Sequence, residues 1–364
     1  MTIFLFLLIL AVLVLVHEAG HFLVAKFFKI RVDEFGFGFP PRLLSFVRGE
    51  TRYSLNLIPF GGFVKIFGED PTEEIKNDET HRNFSHKPRS VQALVLVAGI
   101  VGNFLLAWLL ISAGFMVGLP APEGDQWGVP VANTALTIVE VLPDSPAASA
   151  GLRAGDILVT VGTAQAMIGE NLTPEKVSAF ISENAKPMTI VYTRGGKLSQ
   201  VTLTPTEGIV LGKQAIGIAM DMMGVVRLPI HRALFFGAKA TALLSVEVAR
   251  ALASFIADAF TGNADIKNLA GPVGIAGLVG QARALGAAPL LSLAALISIN
   301  LALINLIPFP ALDGGRLLFV AIEAVRRKAI PAKIAQTANA VGFILLLLFL
   351  VFVTYHDIAR LFTS

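Results

Sequence analysis

Two histidines four residues apart, His17 and His21, continue an N-terminal apolar segment, with Glu18 between them. On an α-helix, residues at this spacing project from one face a turn apart, so both imidazoles can bind one tetrahedral zinc ion. Glu18 then lies beside them and is free to handle protons. Residues 3–16 carry no charge, and ionisable groups that continue such a segment are costly in lipid and usually functional. The pattern predicts a metal site, provided that a third ligand exists; the alternative is a pair of ordinary interior histidines.

Asp313 is the candidate third ligand. It precedes Gly314 and Gly315 at the broken end of a later apolar segment, where the backbone can bend. Two histidines and one carboxylate leave a zinc ion a fourth position for water. The alternative is that Asp313 caps a helix and the two glycines form a turn. If the first and third spans both run inward, His21 and Asp313 lie at similar depth, which favours the metal site.

The composition is that of a polytopic membrane protein. Of 364 residues, 54% are hydrophobic and 15% charged, and the mean hydropathy is +0.71, unlike an ordinary soluble domain. The chain has no cysteine, so a metal must be held by His, Asp or Glu. A balance of 29 basic to 26 acidic residues is too mild for a nucleic-acid-binding surface, and we expect no nucleic-acid partner.

Four apolar segments are expected to cross the membrane, at residues 3–28, 91–119, 289–308 and 338–353. The first lacks a basic start and a small-residue cleavage site, so we interpret it as a retained helix. Residues 231–260 form an amphipathic pattern. We expect that helix to lie along the membrane or the bundle.

The expected organisation has an α-helical membrane part, a membrane-associated β-hairpin and an inserted α+β domain. Residues 120–224 contain short β-rich runs, and Ser145–Leu158 combines a short helix, a glycine stop and a strand entry. That combination resembles a PDZ domain, which binds a peptide by strand addition. The predicted parts are 1–119 with the first two spans and a hairpin region at about 31–67, 120–224 as the PDZ-like domain, 225–285 as amphipathic helix and connector, and 286–364 with the last two spans.

The hairpin is predicted from alternating residues at 52–58 and the turn that contains Gly61 and Gly62. An open sheet edge cannot face lipid, so strands beside a transmembrane site should line a protein-walled or wet cavity. Such an edge could accept an extended peptide as an added strand. The alternative is a peripheral hairpin that rests on the membrane surface.

Basic residues predict the orientation. The loop between the first two spans is rich in Lys and Arg, and a second basic group, Arg316, Arg326, Arg327, Lys328 and Lys333, follows the third span. Both regions should be cytoplasmic. With four spans, the PDZ-like domain and both termini then lie outside, and the two histidines lie nearer the cytoplasmic face.

The order of these motifs resembles the site-2 protease family of intramembrane zinc metalloproteases, and within it the bacterial regulator-of-sigma-E proteases. The resemblance rests on His17-Glu18-Ala19-Gly20-His21 paired with Asn305-x-x-Pro308-x-Pro310-x-Leu312-Asp313-Gly314, and it covers nearly the whole chain. The chain departs from the best-known members in having one PDZ unit instead of two. The resemblance implies zinc ligands His17, His21 and Asp313, Glu18 as general base, substrate-positioning roles for Asn305, Pro308, Gly61, Gly62 and Asn103, and a bacterial inner membrane location.

The expected function is cleavage of single-span membrane proteins, such as anti-sigma factors or leftover signal peptides, by zinc-activated water. Expected partners are those substrates, a peptide ligand of the PDZ-like domain and the lipid bilayer. A non-catalytic PDZ-bearing scaffold that binds exported proteins is the alternative, against which Glu18 and Asp313 speak. A metal transporter would need ionisable residues along several spans, and the second and fourth offer almost none. The sequence does not distinguish zinc from iron or cobalt.

Overall fold

A computed structural model describes residues 1–69, 77–124, 129, 131–210, 212–263 and 270–363. In the described chain the helices are α1 (Thr2–Phe27), α2 (Arg89–Val117), α3 (Pro146–Ser149), α4 (Pro174–Glu183), α5 (Ile230–Thr261), α6 (Pro272–Leu285), α7 (Ala287–Leu306), α8 (Asp313–Arg326) and α9 (Ala332–Thr363). The strands are β1 (Val32–Arg48), β2 (Thr51–Ile66), β3 (Leu119–Pro122), β4 (Ala132–Val141), β5 (Ile157–Gly162), β6 (Met167–Ile168), β7 (Met188–Arg194), β8 (Lys197–Leu203), β9 (Thr206–Val210), β10 (Lys213–Ala215) and β11 (Ile218–Val226).

Five of the described helices are long and apolar enough to cross a membrane: α1, α2, α5, α7 and α9. Four of them coincide with the spans expected from the sequence. The fifth is α5, whose mean hydropathy of 1.5 is the lowest of the five. The composition of α5 therefore permits a crossing, and the expected count of four spans stays a prediction.

Helices α1 and α2 pack closely because glycines lie where they cross. A Cβ at Gly20 would overlap the carbonyl of Ala98, and one at Gly102 would lie 3.0 Å from the carbonyl oxygen of Val16. Small residues of this kind let two membrane helices bring their backbones together. The close approach matters because His17 lies between these two contacts and His21 directly follows Gly20.

Strands β1 and β2 form more than the simple hairpin expected from the sequence. Residues 34–37 of β1 pair with 62–65 on one side and with 52–55 on the other, and residues 44–48 pair with 51–55. Gly38, at φ +82°, lies where β1 bends. The result is a small sheet with the segment order 62–66, 32–37, 51–56, 42–48, in which 62–66 is an outer segment.

The segment Gly114–Ala233 forms a separate compact unit. Its sheet has the order β3-β11-β4-β5-β7-β8, and α4 packs its Val177 and Ile181 into the core of that unit. Ser145 caps α3 by accepting a hydrogen bond from the Ala148 N–H, as the predicted short helix requires. The β-rich content agrees with the sequence, and the assignment to the PDZ fold stays a prediction.

Candidate metal centre

His17 and His21 lie on the buried face of α1. Their exposed fractions are 8% and 7%, and their rings meet at 84° with centroids 4.8 Å apart. The helical spacing of four residues is the cause of this arrangement. Glu18 follows His17 on the same helix and lines a cavity of about 200 Å³ beside both rings.

Asp313 reaches this cavity because α7 ends at Leu306 and α8 begins at Asp313 itself. The two glycines that follow make the turn possible, since a Cβ at Gly314 would overlap the carbonyl of Ile307 and one at Gly315 that of Phe309. The side chain of Asp313 does not cap α8; its Oδ2 instead lies 3.0 Å from His17 Nε2 and 3.3 Å from His21 Nε2.

The three atoms fit a metal ion. His17 Nε2 and His21 Nε2 are 3.2 Å apart, so all three separations lie between 3.0 and 3.3 Å. A tetrahedron with zinc–ligand bonds of about 2.0–2.1 Å has edges of about 3.3–3.4 Å. Within the described residues this is the one cluster of three His, Cys, Asp or Glu side chains whose ligand atoms converge in this way.

The Asp313 carboxyl is suited to a ligand role. Burial raises its pKa, but the His17 and His21 side chains beside its Oδ2 lower it, and the pKa lies well below its usual range. A metal ligand has to be deprotonated. Asp313 meets that condition at neutral pH.

The other ring nitrogens of both histidines are held by α2. His21 Nδ1 lies 2.8 Å from the carbonyl oxygen of Val95, a hydrogen bond that fixes the tautomer with a free Nε2. His17 Nδ1 lies 3.2 Å from the Asn103 amide nitrogen, while Asn103 Oδ1 is buried without a partner. A half-turn of the Asn103 amide places Oδ1 as the acceptor for His17 Nδ1–H. Asn103 thus contacts a candidate ligand, and Ser298 donates to the main-chain carbonyl of Asn103 at 2.8 Å.

The other predicted substrate-positioning residues occupy different places. Gly62 lines the cavity, whereas Gly61 lies against the ring of Phe39. Asn305 is in the last turn of α7 and Pro308 follows that helix, and the residues that line the cavity include neither of them. The structure thus brings together His17, Glu18, His21, Asp313, Gly62 and, behind His17, Asn103.

Three further residues shape the site, and for two of them, Glu69 and Arg316, no sequence signal pointed to it. Glu69 and Arg316 line the cavity and form an ion pair. Gly99 of α2 forms the wall behind the rings, where a Cβ would overlap His21 Nε2. Gly99 belongs to a run of small residues that the sequence explains equally well as ordinary helix packing.

Comparison with known proteins identifies the family. The model of peptidase family M50 matches residues 5–349. The chain is 30% identical to zinc metalloprotease RasP of Geobacillus kaustophilus, over 98% of this chain and 97% of the relative. It is 29% identical to the regulator of sigma-W protease RasP of Bacillus subtilis, over 99% of both chains. The chain therefore belongs to peptidase family M50, the site-2 protease family, and is a multi-pass membrane protein and zinc metalloprotease.

Proposed function

We propose that the protein is an intramembrane endopeptidase in which His17, His21 and Asp313 hold the zinc ion and Glu18 transfers protons. The observation that carries the proposal is the convergence of two Nε2 atoms and one carboxylate oxygen within 3.3 Å, beside a glutamate in the same cavity. Two imidazoles and one carboxylate can also bind iron or cobalt, and zinc is preferred here because the relatives are named zinc metalloproteases.

The chemistry follows from this arrangement. Zinc bound by such residues supplies a water of lowered pKa and polarises a peptide carbonyl. Glu18 accepts the proton of the attacking water and returns it to the leaving amine. Asn103 and the Val95 carbonyl keep the imidazoles oriented.

The substrate proposed for this site is the membrane segment of a single-span protein. A helix hides its scissile carbonyls inside its own hydrogen bonds, so the segment has to unwind before cleavage. The strand segment 62–66 supports an extended substrate because it pairs on one side only, with 32–37, among the described residues. Gly62 places this segment beside the catalytic helix, since a Cβ there would lie 3.2 Å from Glu18 Cγ and 3.0 Å from Val14 Cγ1. A substrate paired with its free edge would pass Glu18.

Val64→Pro tests this edge. Proline removes the N–H of residue 64 and therefore one hydrogen bond to an added strand. We expect cleavage of a tagged single-span substrate to slow about fivefold while the zinc content stays at that of the native protein. Val64→Ala, which keeps the N–H, is the matched control. If Val64→Pro cleaved the substrate as fast as the native protein, this edge would have no role in substrate binding.

We propose a four-span topology in which α5 does not cross the membrane. In the described part of α5, the buried residues lie between Ala233 and Thr241, where Trp108 of α2 donates to the Leu234 carbonyl at 2.8 Å. Because α1 and α2 are antiparallel, this end of α2 is on the side of Met1. Helix α6 is on that side too, since Arg283 donates to Met1 Sδ at 3.4 Å.

The length of the connection supports this topology. Ten residue steps separate the end of α5 at Thr261 from Gly271, which span at most about 33–36 Å when fully extended. A crossing α5 would force this short connection to return through a hydrocarbon core of about 30 Å as extended chain, with its backbone groups unpaired in lipid. With four spans, the basic loops face the cytoplasm and the PDZ-like unit lies outside, where we propose that it binds a peptide segment of substrates. The proposed location is a bacterial inner membrane.

The function is tested with protein purified in detergent, a tagged single-span substrate, and a sample stripped of metal and then reloaded with zinc. We expect the native protein to cut, the stripped protein not to cut, and zinc to restore cleavage. A native protein that binds zinc and cuts no member of a substrate panel would favour the non-catalytic scaffold.

A further inference from the structure

Ile66, at the end of β2, has both of its backbone polar groups bonded to one residue, Glu69. The Ile66 N–H donates to Glu69 Oε2 at 3.4 Å, and the Ile66 carbonyl accepts from the Glu69 N–H at 3.1 Å. The next residue, Phe67, donates to the Arg31 carbonyl at 3.0 Å on the opposite side. Because successive residues of a strand direct their backbone groups to opposite edges, the groups of Ile66 point to the free edge.

The same alternation gives the direction of the backbone N–H and C=O groups along the rest of this edge. The backbone groups of Gly62 and Val64 point outward as those of Ile66 do, and no described strand pairs with them on that side. Glu69 therefore occupies the edge at Ile66 and leaves it open at Gly62 and Val64. Its carboxylate takes the place that a carbonyl of an added strand would take.

Arg316 fixes the carboxylate of Glu69 in this position by an ion pair. Arg316 lies three residues after Asp313 on α8, about one helical turn, so both side chains line the same cavity. The ion pair joins the end of the edge segment to the helix that carries the candidate zinc ligand. The distance between the open part of the edge and the metal centre is thereby set.

We propose that Glu69 is the register stop of the substrate-binding edge and that Arg316 holds it there. The inference rests on the proposed function. An added strand can pair with Gly62 and Val64 but ends before Ile66, so one alignment of the substrate, and hence one peptide bond, is presented to Glu18. Both residues are positioning residues, and neither takes part in bond making or breaking.

The test is the position of the cut, read from the intact masses of the products of a single-span substrate. The native protein should give one principal cut. Glu69→Ala should add cuts displaced by two residues, because a two-residue shift keeps the same side chains on the same face. We expect the share of displaced products to rise about fivefold, the discrimination typical of one hydrogen bond.

The double variant Glu69→Arg with Arg316→Glu distinguishes two roles of Glu69. In the first, Glu69 sets the alignment of the substrate; in the second, its ion pair with Arg316 only stabilises the structure. The exchange restores an ion pair, but a guanidinium has no acceptor for the Ile66 N–H. We expect the exchange to recover the thermal stability and zinc content lost in either single variant while the displaced cuts persist. Glu50→Ala, which breaks the ion pairs of Glu50 with Lys26 and Arg82 elsewhere on the sheet, should keep a single cut.

If Glu69→Ala gave a single cut, or if the exchange restored a single cut, Glu69 would not set the alignment of the substrate. These outcomes differ from failure of the proposed function, in which the native protein itself cuts nothing.

Discussion

Glu18→Gln is expected to reduce the turnover of a single-span substrate by about 10² to 10⁴-fold, the usual contribution of a general base. The amide has nearly the same shape as the carboxylate but cannot accept the proton of the attacking water. Three other residues, His17, His21 and Asp313, supply the converging ligand atoms, so zinc should stay bound at one ion per chain. Steady-state cleavage and metal analysis of the same sample provide the measurement.

Two results would contradict this assignment. If Glu18→Gln lost zinc together with activity, Glu18 would be a metal ligand. If the variant kept its turnover, another group would have to accept the proton of the attacking water. Glu247→Gln is the matched control, because Glu247 lies on the exposed face of α5 outside the cavity. It should leave both the turnover and the zinc content unchanged.

The convergence of the metal cluster was predictable from the sequence because its signal is partly local. A four-residue spacing on one helix suffices to place His17 beside His21. Asp313 is almost three hundred positions away, yet the inward direction of both spans predicts that it lies at the same depth. Its assignment as a zinc ligand stays a proposal that metal analysis has to test.

The surroundings of the cluster were not predictable in the same way. Glu69 and Arg316 belong to different segments and follow no periodic pattern, so only the folded backbone brings them together. The bend of β1 that pairs 34–37 on both sides depends on tertiary packing, which a local alternation of residues does not encode. A substrate-positioning role for Asn103 stays a prediction, and its amide also faces His17; an amide in a membrane helix has many possible partners.

Gly99→Ala is expected to weaken zinc binding about tenfold to a hundredfold, the range seen when residues that orient metal ligands are changed. A Cβ on residue 99 would overlap His21 Nε2 and would lie 2.7 Å from His21 Cε1 and 2.9 Å from His17 Cε1. The rings cannot give way freely, because His21 Nδ1 is bonded to Val95. The helices cannot separate freely either, because Gly20 packs against Ala98.

Gly277→Ala is the control that makes this result interpretable. Gly277 also lies within a helix, α6, but a Cβ there would meet no atom within 4 Å. Alanine is favoured over glycine inside a helix by about 1 kcal/mol, so both variants gain the same backbone preference. Titration of the stripped proteins with zinc should show native affinity for Gly277→Ala and weakened affinity for Gly99→Ala. Native affinity in both would mean that α2 yields to the added methyl group, and that Gly99 serves helix packing without confining the metal ligands.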